Sequence, residues 1–188
     1  MADRKKQILE TAAELMQTRA FTAFSYQDIS DRLGITKAAI HGHYRTKEML
    51  GVALLKKYAD ETMAAHTEAE RHGDGAWQRF DAFMNLMEET VVEENKVCPV
   101  CVLQVEHNII KESMRKGVSE IYNLNRAWMS NLLKQGRDEG VMAFQGEPED
   151  QADLILAATQ GAFMNARAED RNLFRRIVKQ IKMNITSM

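Results

Sequence analysis

At 188 residues, with 45% hydrophobic and 28% charged positions, the chain fits an ordinary globular protein: one moderate domain, or a small domain fused to a larger one. Its net charge of −2 excludes a basic nucleic-acid coat, and its two prolines, at 99 and 148, leave long unbroken stretches that favour helices over an all-β fold. The charge is uneven. Residues 1–50 carry eight Lys/Arg against six Asp/Glu, net +2, which leaves net −4 on the remainder. A mildly basic head on an acidic body agrees with DNA binding at one end. No apolar run approaches the roughly 18 residues of a membrane span, and the N-terminus lacks the apolar segment of a signal peptide. With only two cysteines, three apart, this predicts a cytoplasmic protein with reduced thiols and no membrane partner.

Residues 3–19 predict an amphipathic helix with Ile8, Ala12, Leu15 and Met16 on one face. Arg4, Lys5 and Lys6 oppose the dipole at its start; they are either a solvated end or a contact for a DNA phosphate. Phe21 and Phe24 are expected to plug a small three-helix core. The stretch SYQDISDRLGITKAAIHGHYRTKEML, residues 25–50, then carries the clearest signal. Ser25 and Asp28 have capping-box spacing, Ile29 and Leu33 give an apolar side, and Gly34 supplies a left-handed stop. Thr36 is a good N-cap for a second helix from Lys37 to Tyr44 with Ile40 inward, although Gly42 predicts that this helix ends early. Helix, glycine turn and helix at this length is the helix-turn-helix pattern, whose second helix enters the DNA major groove.

A longer helix is predicted from Thr46 to about His72, with Met49, Leu50, Ala53, Leu54 and Tyr58 inward, ending at the GDG of 73–75. Residues 76–92 repeat Trp77, Phe80, Phe83, Met84, Met87 and Val91 at helical spacing, and EENK at 93–96 reads as a polar turn. Further helices are expected at Pro99–Lys111 and at Val118–Glu139, the latter stopping at Gly140, with a boundary at Gly146 and Pro148. The last two, about 149–166 and 170–186, differ in kind. The first carries Ala157, Ala158, Gly161 and Ala162; the second carries Phe174, Ile177, Val178, Ile181 and Ile185. A terminal pair this apolar is covered either by its own core or by a second copy.

The run ITKAAIHGHYRTKEML resembles the recognition-helix signature of TetR-type transcriptional regulators. Ile35, Thr36, Lys37, Ala38, Ala39, Ile40, His43, Tyr44 and Lys47 fit its pattern, while His41 stands where the family usually has a tyrosine that touches a phosphate. The resemblance covers residues 4–50. It implies an all-α fold of about nine helices: a helix-turn-helix DNA-binding domain over 1–47 and a ligand-binding and dimerisation domain over 48–188. It also implies a homodimer joined by a four-helix interface, with Ala158, Gly161, Ala162, Phe174, Ile177, Val178 and Ile181 as candidates. Two heads then read the half-sites of a palindromic double-stranded operator. The helix from Thr46 would be the connector that ligand-driven tilt moves.

In the head, Lys37 can approach guanine or a phosphate, and Ala38 or Ala39 can pack on a thymine methyl beside Thr36. Tyr44 and Lys47 are candidates for phosphate contacts, and Ser25, Tyr26, Gln27, His41 and His43 complete the candidate DNA-binding set. The second chemical feature is VCPVCVLQVE, residues 97–106. Cys98 precedes a predicted helix, whose amino-end field lowers a thiol pKa, and Cys101 lies one turn in. Three readings stay open: small packed hydrophobes, a sensor of oxidants or electrophiles, and a metal site with His107. The segment is similar to one branch of the TetR family with Gly-Cys-x-x-Gly-x-Leu-x-x-Glu here, matched by Cys98, Leu103 and Glu106. That resemblance implies modification of the thiol by electrophiles. Val97 and Cys101 replace the branch's glycines, and the second thiol is this chain's own addition.

Met84, Met87, Val102, Tyr122 and Trp128 are candidates to line an adaptable apolar pocket for an inducer. The competing class is a thiol–disulfide enzyme, because CPVC has the Cys-x-x-Cys spacing of those oxidoreductases. That fold alternates strands and helices, and no β-branched strand run flanks the motif. No Ser-His-Asp set, Gly-rich phosphate loop or HExxH is present either, so the chain is read as no enzyme and as needing no cofactor or metal. The expectation is a repressor, released from its operator by a small molecule or by modification of Cys98 and Cys101.

Overall fold

The computed structural model describes residues 2–92, 98–168, 170 and 172–186. Nine α-helices account for most of them: α1 (Ala2–Arg19), α2 (Tyr26–Leu33), α3 (Lys37–His43), α4 (Lys47–Arg71), α5 (Ala76–Val92), α6 (Pro99–Val105), α7 (Glu112–Asp138), α8 (Pro148–Ala168) and α9 (Asn172–Ile185). Among the described residues the β structure is one isolated bridge between Met142 and Thr186. None of these helices is long and apolar enough to cross a membrane. By packing the chain forms two compact units, Met1–Asp60 with Val97–Ile121, and Glu61–Lys96 with Tyr122–Met188.

The first unit grows from the α1 stripe. Ile8, Ala12, Leu15 and Met16 are buried with Phe21, Phe24, Ile29, Ile40 and Tyr44, the predicted three-helix core. Ser25 caps α2 in a complete capping box with Asp28, and Gly34 ends it at φ +61°. Thr36 caps α3, its hydroxyl oxygen accepting the Ala39 amide at 3.2 Å. Gly42 does not shorten α3 as expected: the helix runs to His43, and the Tyr44 amide still reaches the Ile40 carbonyl at 2.8 Å. The Gly42 position is exposed with open space around it, so the missing side chain costs propensity and no packing.

In α4, Leu50, Leu54, Leu55 and Tyr58 are buried, whereas Met49, expected inward, is half exposed. Met49 precedes Leu50 by one residue, a rotation of about 100° that carries it off the core face. Gly51 and Gly117 let α4 and α7 approach closely. A Cβ on Gly51 would lie 2.6 Å from the Met114 side chain, and one on Gly117 would lie 3.0 Å from Leu55.

The α6 region departs from expectation. The helix predicted to Lys111 stops at Val105, and the chain continues in tighter turns, with the His107 amide on the Gln104 carbonyl at 3.2 Å and the Ile109 amide on Glu106 at 2.8 Å. α7 starts at Glu112, ahead of the predicted Val118, because the Lys111 carbonyl opens a new helix to Met114 and Arg115. Met114 and Val118 extend the Ile121 stripe into the core.

The second unit is built on aromatic stripes. Phe80, Phe83 and Met84 of α5 are buried, with Trp77 and Met87 half-buried; the Val91 side chain and the turn expected at 93–96 lie outside the described residues. Phe163 of α8 meets Phe174 of α9 at 5.0 Å between ring centroids. Arg175 pairs with Glu88 at 2.6 Å and Lys182 pairs with Asp81, tying α9 to α5. Gly140 (φ +74°) stops α7 as predicted, and Pro148 opens α8.

The burial of the terminal pair separates two faces. Ala162, Phe174, Val178 and Ile181 are enclosed by the chain itself, Ala158 and Ile177 are half-buried, and Gly161 is exposed. The face of α8 left open carries Leu154, Ala157, Gly161 and Met164, at alternating spacings of three and four residues. The apolar stripe that the sequence offers for a partner is thus largely used by the protomer's own core.

Candidate nucleic-acid interface

The exposed surface of the helix-turn-helix is small and polar, as a groove-reading face must be. Thr36, Lys37, Ala38 and Ala39 at the start of α3, with His41 one turn on, are all exposed. A shallow depression beside them is lined by Ser25, Gln27, Lys37 and His41, so residues from α2 and α3 share one surface. Asp28 is held below the usual carboxylate range by hydrogen bonds from the Ser25 hydroxyl and amide, with Arg19 at 2.9 Å adding to the effect. Its charge is therefore engaged in the cap.

Three candidates change role. Tyr44, expected at a phosphate, is buried at 4% exposure in the three-helix core, because its ring is needed there against α1. Tyr26 is also buried: its hydroxyl donates to the Tyr44 carbonyl at 2.8 Å and its ring meets His41 edge-on at 4.7 Å. Burial, with the neighbouring Tyr44, pushes the Tyr26 hydroxyl up to about 12. Lys47 turns inward. Its ammonium donates to the carbonyls of Phe24 and Thr22 and lies over the Phe21 and Phe24 rings, 4.8 and 4.5 Å from their centroids. Burial lowers its pKa, against the pull of Glu106 and Asp28. His43 is half-buried.

The cysteines lie in the same unit as this face. Cys98 is half-buried at the N-cap position of α6, and Cys101 is buried against the α1 core. The Cys101 thiol donates to the Cys98 sulfur. This bond lowers the Cys98 pKa, aided by the backbone amides of Cys101 and Val100 and opposed by burial; it raises Cys101, as burial does too. The Cys98 sulfur thus stands where a side-chain cap would, with the first amides of α6 directed at it. Among the described residues no group of three His, Cys, Asp or Glu is placed to hold a metal ion, so His107 does not join the cysteines.

The pocket candidates are divided between the two units. Val102 is in the core of the first unit, whereas Met84, Met87, Tyr122 and Trp128 belong to the second. Tyr122 donates to Asp153 at 2.7 Å, and Trp128 donates to Glu70 at 3.0 Å. Sequence reasoning missed His66, which is buried, stacked flat on Trp128 at 4.5 Å and bonded to Asn125 at 3.0 Å. Burial lowers its pKa despite that bond. It also missed the part played by Glu106, at 6% exposure, whose carboxylate accepts the amides of Phe21 at 3.0 Å and Thr22 at 2.9 Å, and the Thr22 hydroxyl. A buried acid in a run of valines and leucines was the available signal for it.

An all-α chain with a capped helix-turn-helix of this geometry defines a DNA-binding transcriptional regulator. The profile of bacterial regulatory proteins of the tetR family matches residues 8–54. The HTH-type transcriptional repressor NemR of Escherichia coli is 25% identical over 168 residues, covering 88% of this chain and 84% of that protein. The HTH-type transcriptional repressor KstR2 of Rhodococcus jostii is 22% identical over 137 residues, 73% and 67% of the two chains. The crystal structure of a TetR-family regulator from Agrobacterium tumefaciens superposes with a TM-score of 0.95 at 26% identity, over 98% of both chains. Residues 8–54 thus match the TetR-family DNA-binding domain, and the chain as a whole is similar in fold to TetR-family regulators.

Proposed function

We propose that this protein is a homodimeric repressor whose residues 1–47 bind a palindromic operator and whose residues 48–188 serve ligand binding and dimerisation. The observation that carries it is the exposed start of α3, where Lys37, Ala38 and Ala39 stand free of the core that Ile40 and Tyr44 fill. Lys37 reaches guanine or phosphate, and the alanines admit the helix to the groove floor. The relatives named as repressors support that direction of control. The open stripe of α8, Leu154, Ala157, Gly161 and Met164, with Ile177, is the face assigned to the second copy. Release comes from a small molecule or from modification of Cys98, whose lowered pKa and partial exposure suit attack on an electrophile.

A gel shift on duplex DNA from upstream of the protein's own gene tests this. Reduced protein is expected to bind, and Lys37→Ala to weaken binding by about 1–3 kcal/mol, roughly 5- to 150-fold. Treatment with N-ethylmaleimide is expected to release the wild type and leave Cys98→Ser bound. No binding by the reduced protein at low salt would refute the repressor reading. Turnover in a disulfide-reductase assay would instead favour the enzyme class for the cysteines.

A further inference from the structure

Segment 21–24, which leads into α2, is gripped from two sides inside one packed unit. Its amides are held by Glu106: Phe21 and Thr22 donate their backbone N–H groups to the carboxylate at 3.0 and 2.9 Å, and the Thr22 hydroxyl adds a third donor. Its carbonyls are held by Lys47, whose ammonium donates to the oxygens of Thr22 and Phe24. Directly ahead lies Ala20, a non-glycine residue at φ +80°, a left-handed conformation that costs on the order of 1 kcal/mol or more and persists only where the surroundings enforce it. Directly behind lies Ser25, the cap of α2. The backbone that sets the position of the helix-turn-helix is therefore fixed by one carboxylate at the end of α6 and one ammonium at the start of α4.

The other end of α6 is the thiol pair. Seven residues separate Cys98 from Glu106, and Val100, Cys101, Val102 and Leu103 bury the helix between them in the α1 core. Such a short, packed helix shifts as a unit. The two sulfurs are unequal: one is partly exposed with a lowered pKa, and the other is buried and donates to it. That asymmetry suits a nucleophile and its resolving thiol better than a chelate, which needs both sulfurs within reach of one incoming atom. The spacing of a helix start also lies within the roughly 4.4–6.8 Å between Cα atoms that a disulfide spans.

We infer that a peroxide closes Cys98 and Cys101 to a disulfide, and that α6 carries the change to the DNA-binding head through the grip of Glu106 on Phe21 and Thr22. This rests on the repressor reading above and supplies its regulation. The Cys98 thiolate attacks one peroxide oxygen; the O–O bond breaks, hydroxide leaves and takes up a proton, and Cys98 becomes a sulfenic acid. The Cys101 sulfur then attacks that sulfur, the S–O bond breaks, and the oxygen leaves as water with the Cys101 proton. Two electrons pass from the two thiols to the peroxide, which ends as two waters. Joining the sulfurs draws them from hydrogen-bond contact to about 2.0 Å, which turns the start of α6 and shifts its far end, Glu106.

The experiment follows amide hydrogen exchange over residues 20–25 and the gel shift on the same upstream duplex, before and after hydrogen peroxide, with disulfide formation read by mass. In the wild type, oxidation is expected to expose the Phe21 and Thr22 amides and to weaken DNA binding about tenfold, within the usual 5–150-fold range for coupled sites. Glu106→Gln places an N–H₂ group among the donors. It is expected to form the same disulfide, to exchange these amides rapidly in both states, and to bind DNA equally before and after peroxide. Thr22→Val, which removes one donor of the three at an exposed position, keeps the test open if Glu106→Gln does not fold, and is expected to lose part of the response. A disulfide that leaves Phe21 and Thr22 protected overturns the inference, as does a full wild-type response in Glu106→Gln or Thr22→Val. Exposure of the amides on oxidation without any DNA binding by the reduced protein would support the grip and refute the repressor reading, so the two fail separately.

Discussion

Two helices of the same unit begin in opposite ways. α2 starts at Ser25 with a closed capping box: its hydroxyl accepts from the Gln27 amide, and the Asp28 carboxylate accepts the Ser25 amide at 2.8 Å. α6 starts at Cys98, whose sulfur makes no regular side-chain cap, and is held in place by what it buries. A helix start closed by a capping box is a structural part, since the box occupies its side chains. One faced by a sulfur directs its first N–H groups and a positive field at that sulfur, which favours the thiolate. The same kind of position thus makes a fixed scaffold at residue 25 and a thiol with a lowered pKa at residue 98.

The contrast can be broken at either end. The largest effect is expected from Leu103→Ala, because α6 depends on burial: a fully enclosed leucine lost from this core should cost about 2–5 kcal/mol in denaturant unfolding. Ser25→Ala removes a cap and leaves the core intact, and about 1 kcal/mol is expected in the same measurement. If both cost the same, burial and capping do not divide the two helices as described. A sharper view comes from the pH dependence of Cys98 alkylation by iodoacetamide. A pKa lowered in the folded state means that thiolate forms at lower pH, so the midpoint should fall below that of an ordinary thiol. Cys101→Ala, which removes the donor, should move it back up. By the same sign, the stability this thiolate confers is present above the unfolded pKa and is lost as pH falls through the folded one.

The legible parts of the chain were those decided by neighbours in sequence. Ser25 with Asp28, Gly34 and Thr36 each act within three or four residues, and the structure has all of them in the expected places. The end of α6 was not legible, since Glu106 finds its partners 84 and 85 residues away in sequence. The inward turns of Tyr44 and Lys47 have the same origin: a side chain at the rim of a small core can pack or reach outward, and spacing does not decide which. The terminal helices show a related ambiguity. Both faces of α8 carry small and apolar residues, so periodicity marks the pair without saying which face, Ala162 or Gly161, the protomer encloses.

The inward Lys47 has a consequence for how this head would hold DNA. Each phosphate neutralised by a protein cation displaces condensed counterions and adds about 0.9 to the steepness with which affinity falls as salt rises. An ammonium committed to the Thr22 and Phe24 carbonyls and two phenyl rings displaces none. The complex would then lean less on ionic attraction and more on the short side chains that meet the bases, trading strength in dilute buffer for constancy as ionic strength changes.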